Sequence, residues 1–329
     1  MKAAIKYTLA ATAVAVITAC GGGGGGGGGA VGPSVGYFVD SAVEGLGYST
    51  DTHSGTTDAS GKFIYESGET VTFSLYGQDL ISPLGFTYLT PFDLGRTDLN
   101  PNYSINLVRF LMALDVDGNA SNGIELPSVS TTLDVDFNRS IADFELDSDG
   151  KVATFLAAHA SGRVLPTVSS AAAHLNTTLS GISSEVSAYK ISLKGKTATS
   201  VMTSSYCSNN LELGWSYTFG ESAITLIGSD TFITNNSNVC TGGNTETLTS
   251  PYASILSGEL FDCAPTCSYR ELNRVVHIPS DADGREALEW YWHTPNTKTI
   301  TATKTVINDP ANPGQAAALS TTYEVITLD

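Results

Sequence analysis

Gly68-Glu69-Thr70-Val71-Thr72-Phe73-Ser74-Leu75 alternates apolar and polar residues with period two. Successive side chains of a strand point to opposite faces, so Val71, Phe73 and Leu75 share one side and predict a half-buried strand. The preceding stretches have the same short, turn-punctuated character. Gly36 to Leu46, Tyr48-Ser49-Thr50 and Lys62-Phe63-Ile64-Tyr65 read as further strands. Between them Asp58 is placed to form an Asx turn, and Gly61 supplies the positive φ that such a turn needs. Residues 35–100 therefore predict a small β-sandwich.

The period changes at residue 101. Asn100 can cap a helix whose first position is Pro101, and Ile105, Val108, Leu111 and Met112 follow at helical spacing to about Leu114. A second helix fits Lys151 to Ala160, with Val152, Phe155 and Leu156 inward and Gly162 beyond its end. A third fits Ser169 to Val186, striped by Ala172, Leu175, Leu179, Ile182 and Val186. Residues 101–186 thus predict a helical subdomain with acidic loops.

From 187 to 329 strand signals return, separated by hairpin-sized gaps such as Gly220-Glu221-Ser222, Asp281 to Gly284 and Pro295-Asn296. The candidate strands include Leu211–Phe219, Ala223–Ile227, Thr245–Thr249, Tyr269–Ile278, Ala287–His293, Lys298–Ile307 and Thr321–Leu328. Sequential hairpins in that number predict an antiparallel barrel or sandwich, with a calycin-type barrel slightly preferred. The fold class expected is mainly β with a central helical segment.

Two resemblances attach to these residues. The Asp40–Gly45 entry, Thr57-Asp58 with Gly61-Lys62-Phe63, and the strand that follows resemble the carboxypeptidase-regulatory or collagen-adhesin B-type sandwich, a transthyretin-like fold. The match covers about 60 residues, which leaves the module either truncated or completed by residues 84–94, and it implies a stalk or spacer with no catalytic residue. The stretch from Asn106 to Leu111, then Leu114-Asp115-Val116-Asp117-Gly118-Asn119 and Asn122-Gly123-Ile124, is similar to a segment of exported bacterial lipoproteins of unassigned function.

The N-terminus predicts export. Lys2 and Lys6 precede a short apolar run, Leu9 to Ile17, too short to span a bilayer. Ile17-Thr18-Ala19-Cys20 looks like a bacterial lipobox. That resemblance implies a signal peptide at 1–19 and acylation of Cys20. Gly21 after the Cys implies sorting to the outer membrane, with the anchored face left open. Nine glycines follow, and residues 20–34 read as a tether with an r.m.s. span of roughly 20 Å.

Charge and cysteine content agree with export. Lys plus Arg number 16 against 33 Asp plus Glu, a net charge of −17. Such a surface repels nucleic acid and anionic headgroups, so neither is expected as a partner. Beyond Cys20 stand Cys207, Cys240, Cys263 and Cys267, an even number compatible with two disulfides in an oxidising compartment. Three connectivities exist. Cys207–Cys240 with Cys263–Cys267 is favoured, because Cys-Ala-Pro-Thr-Cys can close a small loop.

Three groups carry candidate chemistry. Asp115, Asp117, Asn119 and Ser121 alternate oxygen donors as an EF-hand loop does at its early positions. The later positions fail, with Ala120 and Leu126 where Gly and Glu belong. A looser cage recruiting Asp147 and Asp149 would hold a structural calcium ion. Glu289-Trp290-Tyr291-Trp292-His293 places Trp290 and Trp292 on one strand face and Tyr291 and His293 on the other. This stretch is either core aromatic packing or a ligand or partner surface. Last, His277 and His293, approached by Glu271 or Glu289, form a minimal acid–base or metal constellation. His53, His159 and His174 have no motif partner. Gly214-Trp215-Ser216-Tyr217-Thr218 misses the nucleophile elbow by one residue.

The functional expectation is a lipid-anchored, non-enzymatic surface protein acting through its C-terminal β domain on a protein or glycan. A carrier of a small apolar ligand in a calycin-like barrel is the alternative, and an exported hydrolase a third reading.

Overall fold

Phe38, Phe63 and Phe73 meet at the centre of the N-terminal part, with ring centroids 4.6 Å (Phe38–Phe73) and 5.2 Å (Phe63–Phe73) apart. They come from two small sheets in a computed structural model of the protein. That structure describes residues 32–329 apart from 98–99, 161, 186–190, 230, 255–260, 263–266, 270–273, 281–283, 294–297 and 309–320. The expected signal peptide at 1–19, Cys20 and the expected tether as far as residue 31 lie outside the described residues, and Ser34, placed at the end of that tether, already belongs to the first strand.

The N-terminal strands are β1 (Ser34–Phe38), β2 (Val43–Glu44), β3 (Gly47–Ser49), β4 (Ser54–Thr56), β5 (Lys62–Tyr65), β6 (Thr72–Leu75), β7 (Gln78–Asp79) and β8 (Tyr88–Leu89). One sheet runs β5-β1-β8 and the other β4-β3-β6-β7. Alternation in β6 is as the sequence predicts, with Phe73 and Leu75 buried and Thr72 and Ser74 less so. The Asp58 turn forms: Oδ1 accepts from the Ser60 and Lys62 backbone N–H groups at 2.8 and 3.2 Å. Gly61 takes φ 75°, and a Cβ there would lie 2.2 Å from the Phe38 carbonyl oxygen.

The central helices are α1 (Pro91–Thr97), α2 (Pro101–Leu114), α3 (Ile141–Leu146), α4 (Lys151–His159) and α5 (Val168–Glu185), with strand β9 (Ile124–Glu125) between α2 and α3. Asn100 caps α2 as expected, its side chain accepting from the Asn102 N–H at 3.1 Å. α2 is buried nearly all round. One side, through Leu107, Phe110 and Leu111, joins the core of the N-terminal sandwich, together with Phe155 of α4. The other side, through Ile105 and Val108, packs with α5.

The remaining strands are β10 (Ile191–Ser192), β11 (Thr197–Ser204), β12 (Glu212–Leu213), β13 (Trp215–Phe219), β14 (Ala223–Gly228), β15 (Phe232–Thr234), β16 (Cys240–Gly242), β17 (Glu246–Pro251), β18 (Phe261–Asp262), β19 (Ser268–Tyr269), β20 (Arg274–Ile278), β21 (Glu286–His293), β22 (Thr299–Asn308) and β23 (Thr321–Leu328). Eight of them run β17-β14-β13-β11-β23-β22-β21-β20 in one antiparallel sheet, with β12 added beside β11. Among the described residues this sheet is open, its ends being β17 and β20. The expected calycin-type barrel is therefore not what forms. The two end strands do not pair with each other, and the sheet is instead packed on both faces.

Those two packings lie on opposite sides. Cα partners run Trp292–Thr301–Val325–Val201, so these four share one face. At the β20-β21-β22 end, that face is covered by helices: Leu288, Trp290 and Trp292 pack against Phe92, Val108 and Leu175. At the β11 end the same face is open, and Val201, Ile227 and Val325 are exposed. There the opposite face is the buried one, carrying Ala198, Met202, Trp215, Tyr217, Phe219 and Ile326.

Candidate functional site

α2 ends where its C-cap Asp115 bends the chain away at φ −51°, ψ 127°, its N–H bonding the Leu111 carbonyl. The loop that follows returns to the sandwich through β9, which pairs with β2 by Val43↔Ile124 and Glu44↔Glu125. Both ends of the loop are therefore held by packed elements. Asp115 is buried at 2% exposure. Its Oδ1 accepts from the Glu125 N–H at 3.1 Å, while Oδ2 is buried and has no hydrogen-bond partner. Asp117 is the next oxygen-bearing side chain along the loop, and its carboxylate lies within hydrogen-bonding reach of that of Asp115.

Loop donors satisfy the rest of Asp117. Its two oxygens accept from the Asn119 N–H and the Asn122 amide, each at 2.8 Å, and these bonds hold its carboxyl below the usual range. Burial, with the negative Asp117 beside it, pushes Asp115 the other way. Ser121 Oγ donates to Asn119 Oδ1 at 2.5 Å. The Arg163 guanidinium braces the outside of the turn through the carbonyls of Asp115 and Val116.

Asp147 and Asp149 have other work. Asp147 accepts from the first N–H groups of α4, Val152 and Ala153, at 3.1 and 2.8 Å. Asp149 forms a two-bond pair with Arg139, which lowers its pKa to about 2. Among the described residues no three His, Cys, Asp or Glu side chains converge as a metal cluster. The six oxygen-bearing residues singled out in the sequence therefore divide into Asp115 to Ser121 on one side and Asp147 with Asp149 on the other.

The aromatic strand is core. Trp290 is 1% and Trp292 4% exposed, and Phe92 of α1 packs on both rings. A surface platform at Trp290 and Trp292 is excluded, because α1 and α5 bury that face. Tyr291 lies on the reverse face and donates to Glu289 Oε2 at 2.8 Å, while Glu289 pairs with Lys304 at 3.3 Å. His277 meets Glu286 across the β20–β21 hairpin rather than Glu289. The side chain of His293, and Glu271 altogether, lie outside the described residues.

The sequence concealed one contact. His174 of α5 reaches Asp40, a fully buried residue just after β1, with Nε2 3.2 Å from Oδ1 and from the backbone oxygen. Neither carboxylate oxygen has a well-formed hydrogen bond. Burial pushes the Asp40 carboxyl up, and His174 lowers it only in part. Burial also opposes charge on His174, but the Asp40 carboxylate outweighs it and raises the imidazole. Nothing in the spacing of residues 40 and 174 announces the pair; only the docking of α5 creates it.

Cys207 and Cys240 are bonded, with Cα atoms 5.3 Å apart. Asn209 reinforces the closure by bonding both the N–H and the carbonyl of Cys240, at 3.0 and 2.9 Å. Cys267 is also disulfide-bonded, and Cys263 lies outside the described residues. Among the described residues, no helix is long and apolar enough to cross a membrane. In comparisons with known proteins, the chain matches no protein-family model, no curated protein and no solved structure.

Proposed function

We propose that this is a lipid-anchored protein of the bacterial outer membrane, held by acylated Cys20 on a glycine tether. Its role is binding rather than catalysis, exercised through the 187–329 β domain towards a protein or glycan of the envelope. The observation that carries this reading is the Cys207–Cys240 bridge. Structural disulfides persist in oxidising compartments, and a lipobox-like Ile17-Thr18-Ala19-Cys20 stands ahead of it in the same chain. Several acyl chains would anchor the protein stably, at about 0.8 kcal/mol per buried methylene. The open half of the large sheet, where Val201, Ile227 and Val325 are exposed together, supports the binding role.

The test has two arms in intact cells. Metabolic labelling with an alkyne palmitate is expected to mark the wild-type chain in the outer-membrane fraction and to leave C20S unlabelled and released. Equal labelling of C20S would overturn the anchor. A photo-crosslinking residue at Val201 or Ile227 is expected to yield discrete adducts that the same residue at exposed Leu146 does not. A shared, diffuse pattern would overturn binding at this domain.

A further inference from the structure

The loop between α2 and β9 brings two carboxylates together and leaves one of their oxygens unsatisfied. Asp115 Oδ2 is buried without a well-formed hydrogen bond, although the Asn119 N–H lies near the carboxyl, and the side chain's other oxygen is already used by the Glu125 N–H. The Asp117 carboxylate within reach of it is also an acceptor, so the two repel unless a proton or a cation lies between them. Buried polar atoms in folded proteins are nearly always satisfied, and the Asp117 carboxylate beside Asp115 favours a positively charged partner over a neutral one.

The surroundings decide which. Asn119 adds an amide oxygen two residues beyond Asp117, and Ser121 a hydroxyl two residues further on. The set consists only of oxygen donors, which suits a hard cation of variable coordination number rather than one seeking nitrogen or sulfur. Among the described residues Arg163 is the cation whose charge reaches Asp117, but its guanidinium bonds the carbonyls of Asp115 and Val116. It stiffens the loop without satisfying Oδ2.

We propose that the 115–121 loop is a calcium site in which Asp115 and Asp117 are the charged ligands and Asn119 an uncharged one. Asp147 and Asp149 take no part, because Arg139 and the first turn of α4 occupy them. With two carboxylates the affinity falls in the range of extracellular modules, a Kd of about 0.1–1 mM. The ion would tie the end of α2 to β9 and so to the sandwich through β2.

Calorimetric titration of the full chain in detergent with calcium chloride tests this, with magnesium chloride as the second arm. One calcium ion per chain is expected, at least about tenfold tighter than magnesium, which is stricter in geometry and gives up its waters reluctantly. D117N, at an exposed position, is expected to weaken calcium binding at least about tenfold while its near-ultraviolet circular dichroism stays that of wild type. D149N is expected to bind calcium as wild type does. No heat and no melting shift at 10 mM calcium, with melting instead rising on acidification alike with and without calcium, would show that a shared proton fills the gap and would overturn the site. Loss of binding in D149N equal to that in D117N would also overturn it.

Discussion

Asp40 and His174 show how much one residue pair depends on its surroundings. Asp40 sits at 0% exposure with a single cationic neighbour, and His174 is its only link to charge balance among the described residues. Both pKa values are raised in the folded protein, so both groups bind protons more tightly there than in the unfolded chain. The resulting stability is present in full below their unfolded values, and it is lost as pH rises through the folded ones. For the imidazole this loss begins above its ordinary value of about 6.5. The melting temperature of the wild type is therefore expected to fall as pH is raised from neutral towards 9. D40N removes the buried charge and should flatten that slope, as read by differential scanning fluorimetry across a pH series. An unchanged slope in D40N would assign the pH dependence elsewhere. The pair was invisible in the sequence because it joins residues 134 positions apart. The Asp58–Gly61 turn was legible for the opposite reason, since its hydrogen bonds close within five residues.

Among the elements, legibility followed the size of the buried side chains. α2 was readable from Asn100, Pro101 and its apolar stripe, and it spans Pro101–Leu114 as expected. α1 and α3 went unread although each begins with a local cap. Thr90 and Asp93 bond reciprocally, as do Ser140 and Asp143, and both pairs carry the three-residue spacing of a capping box. Both helices are short, which gave the apolar period too few turns to register. β11 went unread because its inward residues are Ala198, Ser200 and Met202, small or unbranched where strands favour bulky β-branched ones. Docking between elements leans on side-chain amides. Asn176 of α5 bonds both the N–H (3.0 Å) and the carbonyl of Val275 in β20, which shields the end strand of the sheet. Gln78 treats Val135 the same way, at 2.7 and 2.8 Å. N176A leaves the Val275 peptide group without those partners and is expected to cost about 1–3 kcal/mol. Denaturant unfolding measures that loss, and faster hydrogen exchange at the Val275 amide localises it. Wild-type exchange at that amide would count against the clamp.

At the scale of the molecule, one antiparallel sheet carries two cores on opposite faces, and helices cover only half of one side. The helical segment is bound into this arrangement by Phe92, Trp290 and Trp292, so loss of the indole should be felt by helix and sheet together. W290A is expected to destabilise the protein by about 3–5 kcal/mol. Far-ultraviolet circular dichroism and the remaining tryptophan fluorescence should then shift to the same lower denaturant midpoint. Separate midpoints would mean that the two faces unfold independently. The extent of the strands was mostly legible from their alternation, whereas the open course of the sheet was not, because hairpin spacing is the same in a barrel and in an open sheet. The pairing of β11 with β23 has a consequence in time. Their partners stand far apart in the chain, as in the Ser205–Thr321 bond across 116 residues. During synthesis β11 emerges long before the strand that must lie beside it. Until then Ala198 and Met202 wait with one neighbour missing, exposed to any sticky surface they meet. Such distant closure is slow, so the sheet is completed only after β23 has left the ribosome, well after its earlier strands.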